Sequence, residues 1–175
     1  LIVANHPTLI DIVFIIARVP NADCIVKSNL LRNPFMYGAI SLSGYIASED
    51  PSVVMSQAIS SLKRGNNLVI FPEGTRSQRN APLRFHRGAA NIALRSAAPI
   101  RPIVIRCEPL TLGKGESWHH IPERPAHYDI IAQDIFVPQV SKMRGSTVQA
   151  RQLTKQLQDY FSRERSSHGR ITSRT

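Results

Sequence analysis

The sequence predicts an α/β fold with a mostly parallel central sheet flanked by helices. Short apolar runs alternate along the chain with segments of helical length, the pattern of strand and helix taking turns. The chain also opens directly on Leu1-Ile2-Val3-Ala4, an apolar run that reads as a buried strand already under way. With 175 residues, 42% of them hydrophobic and 19% charged, one domain can bury a real core. Twelve prolines and nine glycines fit neither a disordered, a collagen-like nor a coiled-coil chain.

Taken in order, Leu1 to Ala4 is the first strand, and Pro7 to Arg18 is apolar with helical length and a stop at Pro20. Asp23 to Val26 reads as a strand and Asn33 to Leu42 as a short helix. Ser52 to Arg64 is an amphipathic helix, with Ser52 as its N-cap and Gly65 at its exit. Asn67 to Phe71 is a strand, Gly88 to Ala97 an alanine-rich helix, and Pro102 to Arg106 and Tyr128 to Ala132 are strands. Thr147 to Phe161 closes the domain as a polar helix, and Ser166 to Thr175 is polar enough to be a frayed tail.

The charge is unevenly placed. The net charge is +10, yet residues 1–73 balance, with five basic and five acidic side chains. Residues 74–107 hold seven arginines and no acid, and residues 144–175 hold six Arg and one Lys against Asp159 and Glu164. Such an excess suits an anionic partner: nucleic acid, an acidic protein or an anionic membrane. No aromatic residues interleave with the arginines as a base-stacking platform, which disfavours nucleic acid. Cys24 and Cys107 show no disulfide-framework or zinc spacing, and Trp118-His119-His120 with His127 fits no usual metal site. A reducing compartment follows from the cysteine usage. The longest greasy stretch, Leu9 to Val19, is broken by Asp11 and Arg18, so no segment here spans a bilayer.

Two strand-exit loops concentrate chemistry where an open α/β sheet gathers its ligands. The first is Asn5-His6-Pro7-Thr8-Leu9-Ile10-Asp11. Asp11 can fold back to accept from the imidazole Nδ1 of His6, fixing the tautomer and leaving Nε2 as a base. Thr8-x-x-Asp11 also has the form of a capping box, which explains Asp11 without chemistry, and spacing leaves both readings open. The second loop, Phe71-Pro72-Glu73-Gly74-Thr75-Arg76-Ser77, sets a carboxylate, a glycine and a guanidinium within four residues. Gly74 permits close backbone approach, Thr75 can cap, and Arg76 can hold a phosphate or carboxylate; alternatively Glu73 pairs with Arg76 to brace the turn. No GxSxG elbow or loop cysteine offers a covalent nucleophile.

Together these two blocks resemble the NHx4D and FPEGTRS motifs of the glycerolipid acyltransferases typified by lysophosphatidic acid acyltransferase. Leu83-Arg84-Phe85-His86-Arg87-Gly88-Ala89 and Ala98-Pro99-Ile100-Arg101-Pro102-Ile103-Val104-Ile105 are similar to that family's downstream segments, so the likeness covers about residues 1–107. Lys27 looks like its phosphate-contacting lysine. The resemblance implies an acyltransferase-like fold and an O-acyltransferase without cofactor or metal, taking acyl-CoA or acyl carrier protein as co-substrate. It implies His6 as base, Asp11 as its support, no acyl-enzyme, and Glu73, Gly74, Thr75, Arg76 and Lys27 around the phosphate of an acceptor such as 1-acylglycerol-3-phosphate.

One block departs from the family. Gly44-Tyr45-Ile46-Ala47-Ser48-Glu49-Asp50 puts acids where an arginine is usual, and a charge reversal beside a phosphate is unfavourable. A lipid alcohol without a phosphate monoester is therefore the alternative acceptor, unless Glu49 or Asp50 simply caps the helix near Ser52. A His/Asp esterase or thioesterase, with water in place of the alcohol, is a further alternative, and a basic nucleic-acid-binding module the weakest. The family's N-terminal membrane-seating segment is not in the sequence. The expectation is an acyltransferase domain over 1–165 and a tail over 166–175, working on the cytoplasmic face of a membrane, peripheral or anchored through a segment upstream of Leu1.

Overall fold

The computed structural model describes residues 1–26, 45–47, 49–78, 81–117, 119–139 and 145–167. The strands are β1 (Ile2–Ala4), β2 (Ala22–Cys24), β3 (Asn67–Ile70), β4 (Arg101–Glu108) and β5 (His127–Ala132). The helices are α1 (Asp11–Ile16), α2 (Pro51–Lys63), α3 (Gly88–Ser96) and α4 (Ser146–Ser167). Among the described residues the sheet order is β2-β3-β1-β4-β5. The first four strands run parallel, and β5 joins β4 antiparallel at the edge, so the mostly parallel sheet predicted from the alternation is the sheet observed.

Both faces of this sheet are covered, and the strand period of two sorts the side chains. Val3, Leu68, Ile70 and Val104 face α2, α3 and α4, where they pack with Ala58, Ala90, Ile92, Leu153, Leu157 and Phe161. Ile2, Ala4, Val69, Ile103 and Ile105 face the opposite way and pack with Ile15 of α1. The connection leaving β1 thus runs over one face and the connection leaving β3 over the other. Since β1 and β3 are neighbours, their carboxyl ends form the kind of switch point at which open α/β sheets leave a crevice.

Several boundaries differ from the sequence reading. The helix expected over 7–18 is only Asp11–Ile16, and the segment before it stays a loop, with Thr8 N held by the Asp11 carboxylate and Leu9 N by Leu112 O. The cap of α2 is Asp50, which accepts from the Ser52 N–H at 2.8 Å with Pro51 in the first turn, rather than Ser52 itself. These bonds hold the Asp50 carboxyl below its usual range, the Ser52 hydroxyl contributing most and its N–H next. Ala97 ends α3 in the left-handed conformation at φ 52°. Helix α4 runs on through Ser167, so the first two residues of the expected tail are helical, and 168–175 lie outside the described residues. The helix expected over 33–42 also lies outside them. No helix among the described residues is long and apolar enough to cross a membrane.

Candidate active site

The two motif loops meet at the β1/β3 switch point, locked there by backbone and side-chain bonds. Asn5 caps the exit of β1 by pairing with the next strand: its Nδ2 donates to Ile105 O and its Oδ1 accepts from Ile105 N, both at 2.8 Å. Ser77 N donates to His6 O at 2.7 Å, and Glu73 Oε1 accepts from His6 N at 3.1 Å and from Ser77 Oγ at 2.7 Å. His6 is therefore fixed through its backbone before its side chain is considered.

The imidazole is fixed as well. His6 Nδ1 lies 2.8 Å from Asp11 Oδ2, and the ring stacks on Phe71 at 4.2 Å between centroids with a 19° interplanar angle. Nε2 has no hydrogen-bond partner among the described residues, and the side chain keeps 19% exposure, so that nitrogen is open to an incoming group. A donor Nδ1–H facing a carboxylate defines the tautomer in which Nε2 carries the lone pair.

Asp11 is wholly buried, a position that would be costly for an unpaired carboxylate. Three donors meet it: His6 Nδ1, Thr8 N at 2.8 Å on the same oxygen, and Thr8 Oγ1 at 2.5 Å on Oδ1. Charge-assisted hydrogen bonds contribute about 1.5 to 3 kcal/mol each, which is enough to offset the desolvation of a carboxylate held this way. Of the two readings of Asp11 left open by its spacing, the capping box is not formed, because the helix starts at Asp11 itself with Ile10 at its N-cap and no side-chain cap, while the carboxylate that accepts from Thr8 N also holds His6.

Glu73 does not pair with Arg76. Its carboxylate braces the turn through His6 and Ser77 instead, and burial pushes its pKa up, the bonds from Ser77 and His6 only partly opposing that. Gly74 is required by its backbone: φ is +64°, and a Cβ there would sit 3.3 Å from the His86 ring. Thr75 is exposed and caps no helix, because the next described helix is α3. Arg76 reaches across to the segment after β4, where its Nη1 donates to Leu112 O at 2.9 Å and Gly113 O at 2.8 Å. Leu112 O also accepts from Leu9 N at 3.1 Å, so this β4–β5 segment straps both motif loops together. Lys27 lies outside the described residues.

Sequence reasoning missed Asn5, Ser77 and Phe71 as parts of the site although all three stand inside the quoted motifs. It also missed His86, which stands inside the quoted 83–89 block, and Leu112 and Gly113, which are brought in from a distance with no local signal.

Comparison with known proteins bears on the family and the fold. The family model described as Acyltransferase matches residues 1–106. The 1-acyl-sn-glycerol-3-phosphate acyltransferase of Helicobacter pylori is 37% identical over 112 residues, covering 60% of this chain and 47% of that protein. The coconut protein of the same name, from Cocos nucifera, is 32% identical over 110 residues, covering 59% of this chain and 36% of its own length. The chain thus spans less than half the length of these relatives. The crystal structure of the 1-acyl-sn-glycerophosphate (LPA) acyltransferase PlsC from Thermotoga maritima superposes with a TM-score of 0.58 at 23% identity, covering 91% of this chain and 64% of that one. The likeness to that structure is one of fold, and it matches the layered sheet described above. With the family model spanning residues 1–106, more than half of the chain, the chain belongs to the acyltransferase family.

Proposed function

We propose that the domain transfers a fatty acyl group from an acyl thioester to a hydroxyl of a lysophospholipid-type acceptor such as 1-acylglycerol-3-phosphate, with His6 and Asp11 as its catalytic pair. The observation that carries this reading is the pinned imidazole: Nδ1 held by a buried carboxylate, Nε2 without a partner and open at the strand switch point. Nε2 takes the proton of the acceptor hydroxyl as its oxygen attacks the thioester carbonyl carbon. The tetrahedral intermediate expels the thiolate, which receives the proton back from the imidazolium. No acyl-enzyme is required, and both cysteines are buried, the Cys24 thiol pushed up to about 12 by desolvation.

The oxyanion needs donors that are not already engaged. The N–H groups of His6, Thr8, Gly74 and Ser77 are committed to Glu73, Asp11, Phe71 and His6 respectively. Among the described residues that leaves the N–H groups of Glu73, Thr75 and Arg76 in the same turn for this role. For the acceptor phosphate, Arg76 retains the donors not engaged with Leu112 and Gly113, and Lys27 is its proposed companion. The acids that cast doubt on a phosphate are partly accounted for, since Asp50 serves as a helix cap. The donor is acyl-CoA or acyl carrier protein, and the +10 net charge supports work at an anionic membrane surface.

Incubation with either thioester and a panel of lysolipids, presented in anionic and in neutral vesicles at low salt, followed by mass spectrometry, tests the whole reading. The expected product is an esterified phosphate-bearing acceptor, and His6→Ala should reduce its formation by at least about a thousandfold with the fold retained. An active His6→Ala protein sinks the mechanism. Free fatty acid without ester means hydrolysis, and equal ester yield from both vesicle types removes the anionic-surface assignment.

A further inference from the structure

Beyond the catalytic pair, a line of hydroxyl groups runs from the edge strand to its carboxylate. Thr8 is wholly buried, and its hydroxyl has one proton, which it gives to Asp11 Oδ1 at 2.5 Å. Its oxygen is then left as an acceptor. Tyr128 of β5, 120 residues further along the chain, points its phenol at that oxygen with 3.4 Å between the two. The ring of Tyr128 is held independently by Phe14 of the segment containing α1, at 4.9 Å between centroids. All the donors therefore point one way: Tyr128 O–H to Thr8, Thr8 O–H to Asp11, and His6 Nδ1–H to the other carboxylate oxygen.

We propose that Thr8 and Tyr128 are positioning residues that act through Asp11, holding its carboxylate in the one rotation that keeps His6 in the Nδ1–H tautomer. This rests on the acyl-transfer reading for its kinetic consequence, though not for its structural one. Asp11 carries no second support for Oδ1 among the described residues, so losing the Thr8 hydroxyl leaves a buried carboxylate oxygen bare. Turning to find another donor would take Oδ2 away from His6. In hydrogen-bond chains each donor polarises the next, so Tyr128 strengthens the bond that Thr8 gives. Burial pushes the phenol up to about 12, with Thr8 partly opposing it and the neighbouring Cys107 and Asp11 adding to the rise, and the group therefore keeps its proton at neutral pH. The 3.4 Å link is the long one in the chain, and such contacts tighten when a site loads. Tyr128 should accordingly matter less than Thr8. Tyr128 also lies beyond residues 1–106, so the family pattern gave no reason to single it out.

The test uses Thr8→Val, which keeps the shape and removes the hydroxyl, Thr8→Ser, which restores it, and Tyr128→Phe, which keeps the ring. Acyl-transfer kinetics are measured beside ¹H–¹⁵N correlation spectra of the histidine rings at a pH where His6 is neutral. Expected are a kcat about tenfold lower for Thr8→Val and about threefold lower for Tyr128→Phe, with both KM values within about twofold and Thr8→Ser close to the parent. The spectra should show a single Nδ1–H tautomer for His6 in the parent and in Thr8→Ser, and an added Nε2–H fraction in Thr8→Val. Parent-like kcat and tautomer in both Thr8→Val and Tyr128→Phe overturn the relay while leaving acyl transfer standing. If the parent transfers no acyl group but the tautomer responds as stated, the functional reading fails and the relay survives.

Discussion

Two buried carboxylates sit within one crevice, and their surroundings treat them differently. Asp11 meets an imidazole, an amide and a hydroxyl, whereas Glu73 meets one amide and one hydroxyl and no ion-pair partner among the described residues. Burial therefore prevails at Glu73 and raises its pKa above the usual carboxylate value. A carboxyl whose folded pKa is raised binds its proton more tightly in the native state. Its contribution to stability is present below the unfolded value of 4.5 and is lost as pH rises through the folded one. Glu73→Gln keeps an oxygen to accept from His6 N and Ser77 Oγ but carries no charge to desolvate. The variant should melt higher than the parent at pH 7, and the gap should close by pH 4. Thermal denaturation at the two pH values checks this, and a gap that widens on acidification contradicts the assigned cause. His6, Asp11, Glu73 and Gly74 stand out in the sequence through two strand-exit blocks that resemble family motifs, while spacing alone leaves Asp11 open between a dyad and a capping box. Their bonds were less legible: one of the two readings of Glu73 paired it with Arg76, the local choice for a carboxylate three residues from a guanidinium, and the fold supplied His6 N from 67 residues away instead.

At the scale of elements, the segment after β4 is what closes the site. It carries Leu112 at φ 54°, a left-handed conformation uncommon for a branched side chain, and its carbonyl takes donors from both motif loops. Removing Arg76 should therefore do more than weaken head-group binding. Arg76→Ala frees Leu112 and Gly113, and with them the support of Leu9 at the entry to α1. The acceptor KM should rise about tenfold or more, and kcat should fall as well, with donor KM little changed. Steady-state kinetics with each substrate varied in turn decide it: an unchanged acceptor KM removes Arg76 from the head-group site, and an unchanged kcat means the strap has no part in catalysis. Periodicity could place β4 and β5 but could not reveal this strap. Residues 109–117 carry neither a helical nor a strand period, and a loop's backbone carbonyls leave no mark in the sequence.

Across the whole molecule, the helix furthest from the motifs in sequence packs beneath them. The family model stops at 106, yet Phe161 of α4 is 1% exposed, meets the Phe85 ring in a tilted contact at 5.5 Å between centroids, and shares the core with Val3 and Ile70 of the strands that bear both loops. The same helix reaches the segment after the second motif: Gln158 Oε1 accepts from Phe85 N at 3.0 Å, and Arg165 donates to Ala81 O and Gln78 O at 3.0 and 3.1 Å. Part of the positive charge that sequence arithmetic assigned to an external anion is thus spent on the protein's own carbonyls, Arg76 and Arg165 among it. The sequence read α4 as a polar helix over 147–161, which marks the element but not the core that its Ala150, Leu153, Leu157 and Phe161 join, because contacts between distant segments follow from the sheet order. If α4 is integral to the core, Phe161→Ala should cost about 3 to 5 kcal/mol in urea unfolding, whereas Val148→Ala, at a position 46% exposed on the same helix, should cost less than about 0.5 kcal/mol. Equal small losses from both variants would show that α4 lies on the domain without sharing its core. The single cooperative transition expected of one core should persist in Phe161→Ala, moved to lower urea with its slope unchanged.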